Sequence, residues 1–377
     1  MCHRGKKLRR FCPIASPPSQ SSPKASSLMV KQSSNDVSEI FARYRPEIDA
    51  ALRDCIPSDS ATPDLYNILR YHLGWLDESL TPTRRHGGKM LRPTLCLLCS
   101  EAVNGNYSRA LPAAAAVELL HNFSLIHDDI EDRGKERRGR KTVWALWGEP
   151  LAVNAGDAMM ILSQLALLRA PTYGTDPSVV LTAARLLNQC CLALTEGQHL
   201  DLTLEGNLGL TRDQYFQIIS RKTAALLGCS AHLGALCAGL RGPQAEHYRA
   251  FGTFLGLGFQ IQDDVLGIWG DSQVTGKPAA ADVYGHKITL PVIEALATAP
   301  PDVAAIVARV YQAEAPSSAD VTEVVSLLTA LGVRERVEAE ASRQIDRAVA
   351  ELEAASPLPG PSADLRRLGQ ALLGRTA

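Results

Sequence analysis

The chain has 377 residues, of which 46% are apolar and 21% charged, so it can bury a large core as one big domain or two smaller ones. Seven of its 39 Lys and Arg residues, and none of its 40 Asp and Glu residues, lie in residues 1–35, which leaves the remainder with a net charge of −8. So acidic a body excludes a general nucleic-acid binder, and any phosphate ligand needs a local basic cluster or metal ions.

Residues 1–35 are basic and rich in Ser and Pro, and they lack the apolar core of a secretory signal. This composition predicts a disordered N-terminal extension, followed by one domain over residues 36–377. It also suits an organelle transit peptide, but Met29 opens a more ordinary protein start, which favours a cytoplasmic protein. No run approaches the roughly 18 consecutive apolar residues of a membrane-spanning helix, so no transmembrane segment is predicted.

From about Val37 onward, apolar residues recur at intervals of three and four, which is the period of amphipathic α-helices. Aromatic residues are sparse, Ala and Leu are abundant, and convincing strand alternation is absent. Turn signals such as SDSATP, TYGTDP, GNLGLT and SPLPGP separate the helical segments. The pattern predicts an all-α domain of roughly ten or more helices, with those that are apolar nearly all round at the centre or at a subunit interface.

Two of the predicted helices end in acidic residues, HDDIED at 127–132 and QDD at 262–264. Asp128 and Asp132 are four residues apart and share a helix face, whereas Asp129 points about 100° away. Carboxylates stacked in this way repel one another unless a divalent cation lies between them. Mg²⁺ suits such hard oxygen ligands, and it commonly takes one or two carboxylates together with phosphate oxygens. A solvated helix end explains one such cluster, but the pair predicts a metal–diphosphate site.

The chain also offers cations that would complete such a site. The segment HGGKMLRP places two glycines before Lys89 and Arg92, so that the backbone can approach an anion. Arg137 and Arg138 follow the first acidic cluster, and further cations lie at Lys222, Lys277 and Lys287. Each one alone is typical of a surface charge, but the set indicates a reaction in which diphosphate leaves. Apolar helices below the clusters would then provide a dry pocket for a hydrocarbon chain.

The ordered segments GGKMLRP, HDDIED, RRGRKTVW, NAGD, EGQHLDL, SRKTAAL, GFQIQDDVLG and TGKPAAADVYGHKITLP together resemble the trans-type polyprenyl diphosphate synthase family. This family includes the farnesyl and geranylgeranyl diphosphate synthases. The resemblance implies an all-α isoprenoid synthase fold, usually homodimeric, with three Mg²⁺ ions between two aspartate clusters that face each other across a cavity. It also implies the condensation of an allylic diphosphate with isopentenyl diphosphate, which lengthens the chain by one five-carbon unit.

The resemblance assigns roles to individual residues. Those expected to hold isopentenyl diphosphate are Lys89, Arg92 and His121, with Arg138 contributing. Those expected to contact the allylic diphosphate are Arg137, Lys222, Thr223, Gln260, Lys277 and Lys287. The metal ligands are expected to be Asp128, Asp132, Asp263 and Asp264, with Asp129 in support. The residues expected to be catalytic are Asp128, Asp129, Asp132, Lys222, Gln260 and Asp263. Gln198 lies where the family has a Gln near the reacting carbons, and Glu131 and His127 receive no direct role.

The second acidic cluster departs from the family pattern DDxxD, because Gly267 stands at its last position. Asp271 lies about two turns beyond Asp264 and is expected to substitute if the helix continues that far. Gly267 and Gly270 weaken this expectation, because glycine is unfavourable inside a helix.

Product length is expected to depend on Phe123 and Ser124, five and four residues before Asp128, where the growing tail would run down the helix. A large ring beside a small residue favours a twenty-carbon product, with fifteen carbons as the close alternative. Three other classes compete. A terpene cyclase has no need of GGKMLRP, a non-catalytic partner subunit would be expected to lose acids or cations, and a long-chain synthase would differ in its product.

Overall fold

The computed structural model describes Met1 and residues 23–58, 61–83, 88–271 and 279–374, and over 23–36 it describes the backbone alone. The first helices are α1 (Pro23–Arg53), α2 (Pro63–His72), α3 (Leu91–Asn104), α4 (Leu111–Glu131), α5 (Val143–Trp147), α6 (Glu149–Leu168), α7 (Pro177–Thr203) and α8 (Arg212–Ile219). They are followed by α9 (Ala225–Cys237), α10 (Pro243–Trp269), α11 (Ala281–Tyr284), α12 (Leu290–Thr298), α13 (Pro301–Tyr311), α14 (Ser318–Ala330), α15 (Val333–Ala354) and α16 (Pro359–Leu373).

Three short segments interrupt the α-helices. Single 3₁₀ turns lie at Ser108–Ala110 and Ala170–Tyr173, and a π-helical turn at Ser220–Ala224 joins α8 to α9. Two-residue strands at Glu136–Arg137 and Arg140–Lys141 pair as an antiparallel hairpin. The described chain is therefore almost entirely helical, and the prediction of an all-α fold is confirmed.

Helix α9 lies at the centre, with every residue from Leu226 to Cys237 buried. Glycines let its neighbours approach closely. A Cβ at Gly234 would lie 2.0 Å from the carbonyl oxygen of Cys96 on α3, and one at Gly252 of α10 would lie 2.4 Å from the carbonyl oxygen of Leu227. The expectation that a helix apolar all round belongs in the middle of the bundle is confirmed.

The apolar interior consists of two clusters. One joins α1, α3, α4, α6, α9, the first half of α10, the second half of α15 and α16, and the other joins α8, the second half of α10, α11 to α14 and the first half of α15. Phe254 and Leu373 pack against both clusters. The ends of α4 and α10 that carry the two acidic clusters open into one cavity, so the fold places them in a common site.

The predicted N-terminal boundary lies within the first helix of the described chain. Helix α1 begins at Pro23 and continues without a break to Arg53, so the boundary placed after residue 35 falls inside a helix. Proline suits the first turn of a helix, where its missing N–H would have no partner in any case. Residues 2–22 of the predicted extension lie outside the described part of the chain, so the predicted division into extension and domain stays a prediction.

Helices α6 and α7 carry an apolar face that the described part of the chain leaves uncovered. Both are long and apolar enough to cross a membrane by length and composition alone, although the core helices of soluble proteins have the same length and composition. Only 44% and 33% of the residues in their most apolar windows are buried. The large exposed side chains include Ile161, Leu165, Leu168, Leu181 and Leu192. The prediction of no transmembrane segment rested on uninterrupted apolar runs, which these helices do not have.

Candidate active site

A cavity of about 610 Å³ lies between the C-terminal ends of α4, α7 and α10 and the segment 282–289. Its acidic lining residues are Asp128, Glu131, Asp132, Asp201, Glu205, Asp263, Asp264 and Asp282. Its basic lining residues are Arg133, Arg137, Lys222 and Lys287. Acids therefore outnumber cations on the wall, and this excess of negative charge favours a ligand that arrives with metal ions.

The first acidic cluster follows directly from the end of α4. The helix ends at Glu131, and the backbone N–H of Asp132 donates to the carbonyl oxygen of Asp128 at 2.8 Å. Asp128 and Asp132 thus stand one turn apart, and both line the cavity. Burial raises the pKa of Asp128 to about 6, and the charge of Asp132 adds to the rise while Lys222 opposes it. A cation between the two carboxylates would relieve this repulsion.

Asp129 faces away from the cavity and does not line it. Its side chain is 4% exposed, and its Oδ1 accepts a hydrogen bond from Nε of Arg137 at 2.8 Å. Its carbonyl oxygen accepts from the N–H of Gly134 at 3.0 Å. Asp129 therefore holds the hairpin and orients Arg137, a geometry that fits a supporting role better than a place among the catalytic groups.

The hairpin positions Arg137 and Arg138 in two different parts of the site. Its turn residues Arg138 and Gly139 both have positive φ, 54° and 68°, as a tight two-residue hairpin turn requires. Arg137 lines the cavity, whereas the guanidinium of Arg138 lies against Gly88, where a Cβ would be 2.7 Å from Arg138 Nη2. One short hairpin thus contributes a cation to the cavity and another to the segment that precedes α3.

A second cationic group lies beside the cavity. Arg92, in the first turn of α3, places Nη1 3.1 Å from Nε2 of His121. Burial lowers the pKa of His121 well below its ordinary value, and Arg92 lowers it further, so the ring is neutral and accepts from the guanidinium. With Arg138 against Gly88 and Lys89 next along the chain, the structure gathers all four residues expected to bind isopentenyl diphosphate. None of the four lines the cavity itself.

The π-helical turn presents Lys222 and Thr223 to the cavity. Helix α7 passes so close that a Cβ at Gly197 would lie 2.5 Å from the backbone nitrogen of Lys222. The ammonium of Lys222 lies 2.5 Å from Oδ2 of Asp201. Burial by itself would lower the pKa of Lys222, but Asp201, Asp128 and Asp132 raise it, so the side chain stays charged. Asp201 lies in the segment EGQHLDL, which contributes to the family resemblance, but the sequence analysis assigned no role to this residue.

The second acidic cluster is held by a chain of hydrogen bonds. Thr223 Oγ1 donates to Gln260 Oε1 at 2.8 Å, and Gln260 Nε2 donates to Asp264 Oδ1 at 3.0 Å. The hydroxyl of Tyr215 donates to the other carboxylate oxygen of Asp264 at 2.6 Å. Burial raises the pKa of Asp264 to about 7 despite these two donors. Asp263 is half-buried and lines the cavity. No sequence signal pointed to Tyr215.

Asp271 does not substitute for the missing third aspartate. Helix α10 ends at Trp269, and Gly270 is extended with ψ 142°, so Asp271 lies beyond the helix. It is exposed and does not line the cavity. The expectation was wrong because it required the helix to continue. Of the other cations expected at the allylic diphosphate, Lys287 lines the cavity, and Lys277 lies outside the described residues.

The comparisons with known proteins decide the family. The family model described as Polyprenyl synthetase matches residues 74–328. The chain belongs to the polyprenyl synthetase family. The (2E,6E)-farnesyl diphosphate synthase of Mycobacterium tuberculosis (strain ATCC 25618 / H37Rv) is 37% identical over 324 residues, 85% of this chain and 89% of that protein. The geranylgeranyl diphosphate synthase of the same strain is 38% identical over 334 residues, 87% of this chain and 93% of that protein.

Solved structures of the polyprenyl synthetase family share the fold. The polyprenyl synthetase from Streptomyces coelicolor A3(2) superposes with a TM-score of 0.82 at 32% identity, covering 89% of this chain and 99% of that one. The geranylgeranyl pyrophosphate synthetase from Pyrococcus horikoshii Ot3 gives 0.79 at 30% identity, with 89% and 98% covered. The fold is that of the isoprenoid synthases, as the resemblance implied, and the protein is a short-chain prenyl diphosphate synthase.

Gln198, the polyprenyl synthetase residue expected near the reacting carbons, is tied to the first cluster. Its Nε2 donates to Oε2 of Glu131 at 2.7 Å, and Glu131 lines the cavity. A carboxylate accepts hydrogen bonds and cannot donate them, so this contact fixes which end of the Gln198 amide faces Glu131. Glu131 thus has a contact at the site that sequence reasoning did not assign to it.

The residues expected to set product length lie above the first cluster on α4. The ring of Phe123 is 4.9 Å from that of His127 in an edge-to-face arrangement, and Ser124 Oγ donates to the carbonyl oxygen of His121 at 2.9 Å. Neither Phe123 nor Ser124 lines the cavity. His127 packs against α6, where a Cβ at Gly156 would lie 2.1 Å from its Nε2. This close contact explains how the NAGD segment supports the helix that carries the aspartates.

The donor set suits Mg²⁺ that arrives together with diphosphate. Within the part of the chain that the structure describes, no three ligating groups converge closely enough to hold a metal by themselves. Carboxylates of α4 and α10 nevertheless line one cavity. Mg²⁺ takes few protein ligands and completes its shell with water and phosphate oxygens, so separated carboxylates fit this ion better than a closed protein cage would.

Proposed function

We propose that this enzyme condenses isopentenyl diphosphate with allylic diphosphates, with Mg²⁺ as cofactor, and releases geranylgeranyl diphosphate as its main product. The observation that carries the proposal is that the hairpin of residues 136–141 places one arginine in each of two neighbouring groups. Arg137 serves the cavity with the aspartate clusters, and Arg138 serves the neighbouring group of Arg92 and His121. Two separate anion-binding groups fit a reaction with two diphosphate substrates.

The residues around the cavity have distinct tasks in this proposal. Asp128, Asp132, Asp263 and Asp264 would hold the metal ions, which when bound neutralise the diphosphate and help it to leave. Lys222 keeps its charge and adds to that neutralisation from the π-helical turn. Gln260 is oriented by Thr223 and Asp264, so its amide is positioned before substrate arrives.

The second diphosphate would be held by Arg92, with Lys89 and Arg138 beside it. The neutral ring of His121 accepts a hydrogen bond from Arg92 and so fixes the guanidinium plane. The Nε of Arg92 is buried and has no hydrogen-bond partner among the described residues, which leaves a donor for an incoming oxygen. A neutral acceptor beside Arg92 preserves the positive charge that an anion requires.

A single assay tests the reaction and its product. Purified protein is incubated with Mg²⁺, isopentenyl diphosphate and, in turn, dimethylallyl, geranyl or farnesyl diphosphate, and the products are sized by chromatography. Elongation of all three primers to twenty carbons supports the proposal. Arrest at fifteen carbons favours a farnesyl diphosphate synthase, and much longer products favour a long-chain synthase. In a parallel incubation with geranylgeranyl diphosphate as the only substrate, its consumption indicates a cyclase. No turnover in any incubation without another protein indicates a partner subunit.

Product length is tested at Phe123. The twenty-carbon proposal rests on a large ring beside the small Ser124 above the first cluster, and relatives of comparable identity carry both names, farnesyl and geranylgeranyl diphosphate synthase. Phe123→Ala should lengthen the product because it opens the path of the tail. An unchanged product distribution, with normal turnover, would show that Phe123 is only part of the core.

We also propose that the active enzyme is a homodimer that buries the exposed apolar face of α6 and α7. A second copy would cover Ile161 and Leu165, which lie one turn apart on α6. Light scattering should give twice the mass of one chain, and Ile161→Glu with Leu165→Glu should give a monomer. Leu358→Glu, at an exposed leucine elsewhere, is the matched control and should remain dimeric. A wild-type monomer at micromolar concentration would contradict the proposal, and binding to lipid vesicles would indicate a membrane instead.

The location of the enzyme stays a prediction. A cytoplasmic protein is favoured, with an organelle as the alternative, and residues 2–22, on which the choice depends, lie outside the described part of the chain.

A further inference from the structure

Gly267 occupies the position at which the family pattern has the third aspartate of the second cluster. It lies four residues after Asp263, so a side chain there would project from the same face of α10. Its φ is not positive and it sits within the helix, a backbone conformation that any residue adopts. The glycine is therefore explained by the space around it and not by its conformation.

Asp282 of α11 fills that space. A Cβ at Gly267 would lie 2.0 Å from Oδ2 and 2.4 Å from Cγ of Asp282, distances far below any real contact. An aspartate at position 267 is therefore incompatible with Asp282 in its present position. Helix α10 has no carboxylate at position 267, but the carboxylate of Asp282 on α11 occupies the same place.

Asp282 belongs to the cavity wall. Its side chain is only 8% exposed, yet it lines the cavity together with Asp263 and Asp264. Burial is the main cause of the raised pKa of Asp264, and the charge of Asp282 adds to it, which shows that the two carboxylates are close. The carbonyl oxygen of Asp282 accepts from the N–H of Lys287 at 2.9 Å, so α11 and the segment that follows it bring a carboxylate and a cation to the cavity.

We propose that Asp282 supplies the third carboxylate of the second cluster, in place of a side chain at position 267. The inference rests on the proposed function, since a metal-bound diphosphate is the ligand that requires this charge. Gly267 then has a role of its own, because it leaves the room that Asp282 needs.

The first test removes the charge and keeps the shape. Asp282→Asn is compared with wild type by thermal unfolding in EDTA and during a titration with Mg²⁺ in the presence of inorganic diphosphate. The midpoint in EDTA should be unchanged or raised, because one of several crowded like charges is removed. The Mg²⁺ concentration for half-maximal stabilisation should rise about tenfold, as for other groups that support a metal site. Asp271→Asn, an exposed acid just beyond α10, is the matched control and should resemble wild type.

A lower midpoint in EDTA with an unchanged Mg²⁺ requirement would mean that Asp282 only supports the fold, and this result would overturn the inference. The inference is also overturned if Asp282→Asn matches wild type in both measurements, since Asp282 would then contribute neither to the fold nor to the metal site.

The second test moves the carboxylate onto α10. Asp282→Ala alone should show the weakened Mg²⁺ response, and Asp282→Ala combined with Gly267→Asp should restore it to near the wild-type value. A double variant no better than Asp282→Ala would overturn the inference. The outcome is separable from that of the proposed function. If wild type fails to elongate allylic diphosphates, the function is wrong, whereas if it elongates them and the Asp282 variants respond normally to Mg²⁺, only this inference is wrong.

Discussion

The two acidic clusters reach the same cavity by different routes. Asp128 and Asp132 are one turn apart on α4, and their arrangement follows from the period of a single helix. Asp264 on α10 is instead held by Tyr215 and Gln260, and the last position of its cluster is Gly267 packed against Asp282. The first cluster is therefore a local motif, while the second is assembled from several segments. A local motif tolerates changes elsewhere in the chain, and an assembled one depends on each of its partners.

The largest effect is expected at the first cluster. Asp128→Asn should lower kcat/KM by about 10³-fold or more, since loss of a metal ligand removes several kcal/mol of transition-state stabilisation. Steady-state kinetics over a range of Mg²⁺ concentrations would measure this loss, and removal of the metal with EDTA should abolish turnover of wild type. Asp64→Asn, at an exposed acid of α2, serves as the control. Near-normal kinetics of Asp128→Asn would show that the first cluster does not bind the metal.

The next effect concerns how α4 is held in place. Gly156→Ala forces a methyl group into His127 and should destabilise the fold by about 1–3 kcal/mol, the usual cost of overpacking. Chemical denaturation would measure the change in the free energy of unfolding. His127→Ala should recover part of the loss when combined with Gly156→Ala, because it vacates the space. If the single variant were as stable as wild type, α4 and α6 would not be closely packed there.

The second cluster should be sensitive to a residue outside any acidic motif. Tyr215→Phe removes a hydrogen bond to Asp264 and should raise the Mg²⁺ concentration needed for half-maximal activity about tenfold, as for other groups that orient a metal ligand. Tyr173→Phe, in the 3₁₀ turn before α7, provides a control tyrosine away from the cavity. An unchanged Mg²⁺ requirement would indicate that the second cluster is as self-contained as the first.

The smallest effect is expected at Glu131. In Glu131→Gln the amide can still accept from Gln198, so kcat should fall only about threefold, whereas Glu131→Leu removes the acceptor and should cost about tenfold, a typical value for one hydrogen bond to a charged group. KM for both substrates should be nearly unchanged, which separates orientation of Gln198 from substrate binding. Equal kcat values for the two variants and wild type would mean that the contact has no part in the reaction.

The residues found by sequence reasoning are those whose signal is local. Asp128 and Asp132 can be recognised in the sequence by their spacing, and Arg92 can be recognised by the two glycines that precede it. Asp201, Tyr215 and Asp282 were missed because each acts through a contact with a distant segment. The error at Asp271 has the same origin, since only the structure shows that α10 ends at Trp269.

The sequence by itself determined the helical class and the family, and it led to the proposal of which residues would face the diphosphates. These follow from periodicity and short motifs, which depend on neighbours a few residues apart. Tertiary structure alone decided that Asp282 takes the place of a side chain at Gly267, that Tyr215 holds Asp264, and that α6 and α7 leave an apolar face uncovered. Such relations depend on how helices far apart in the chain pack together, and these packing contacts cannot be predicted from the local pattern of residues.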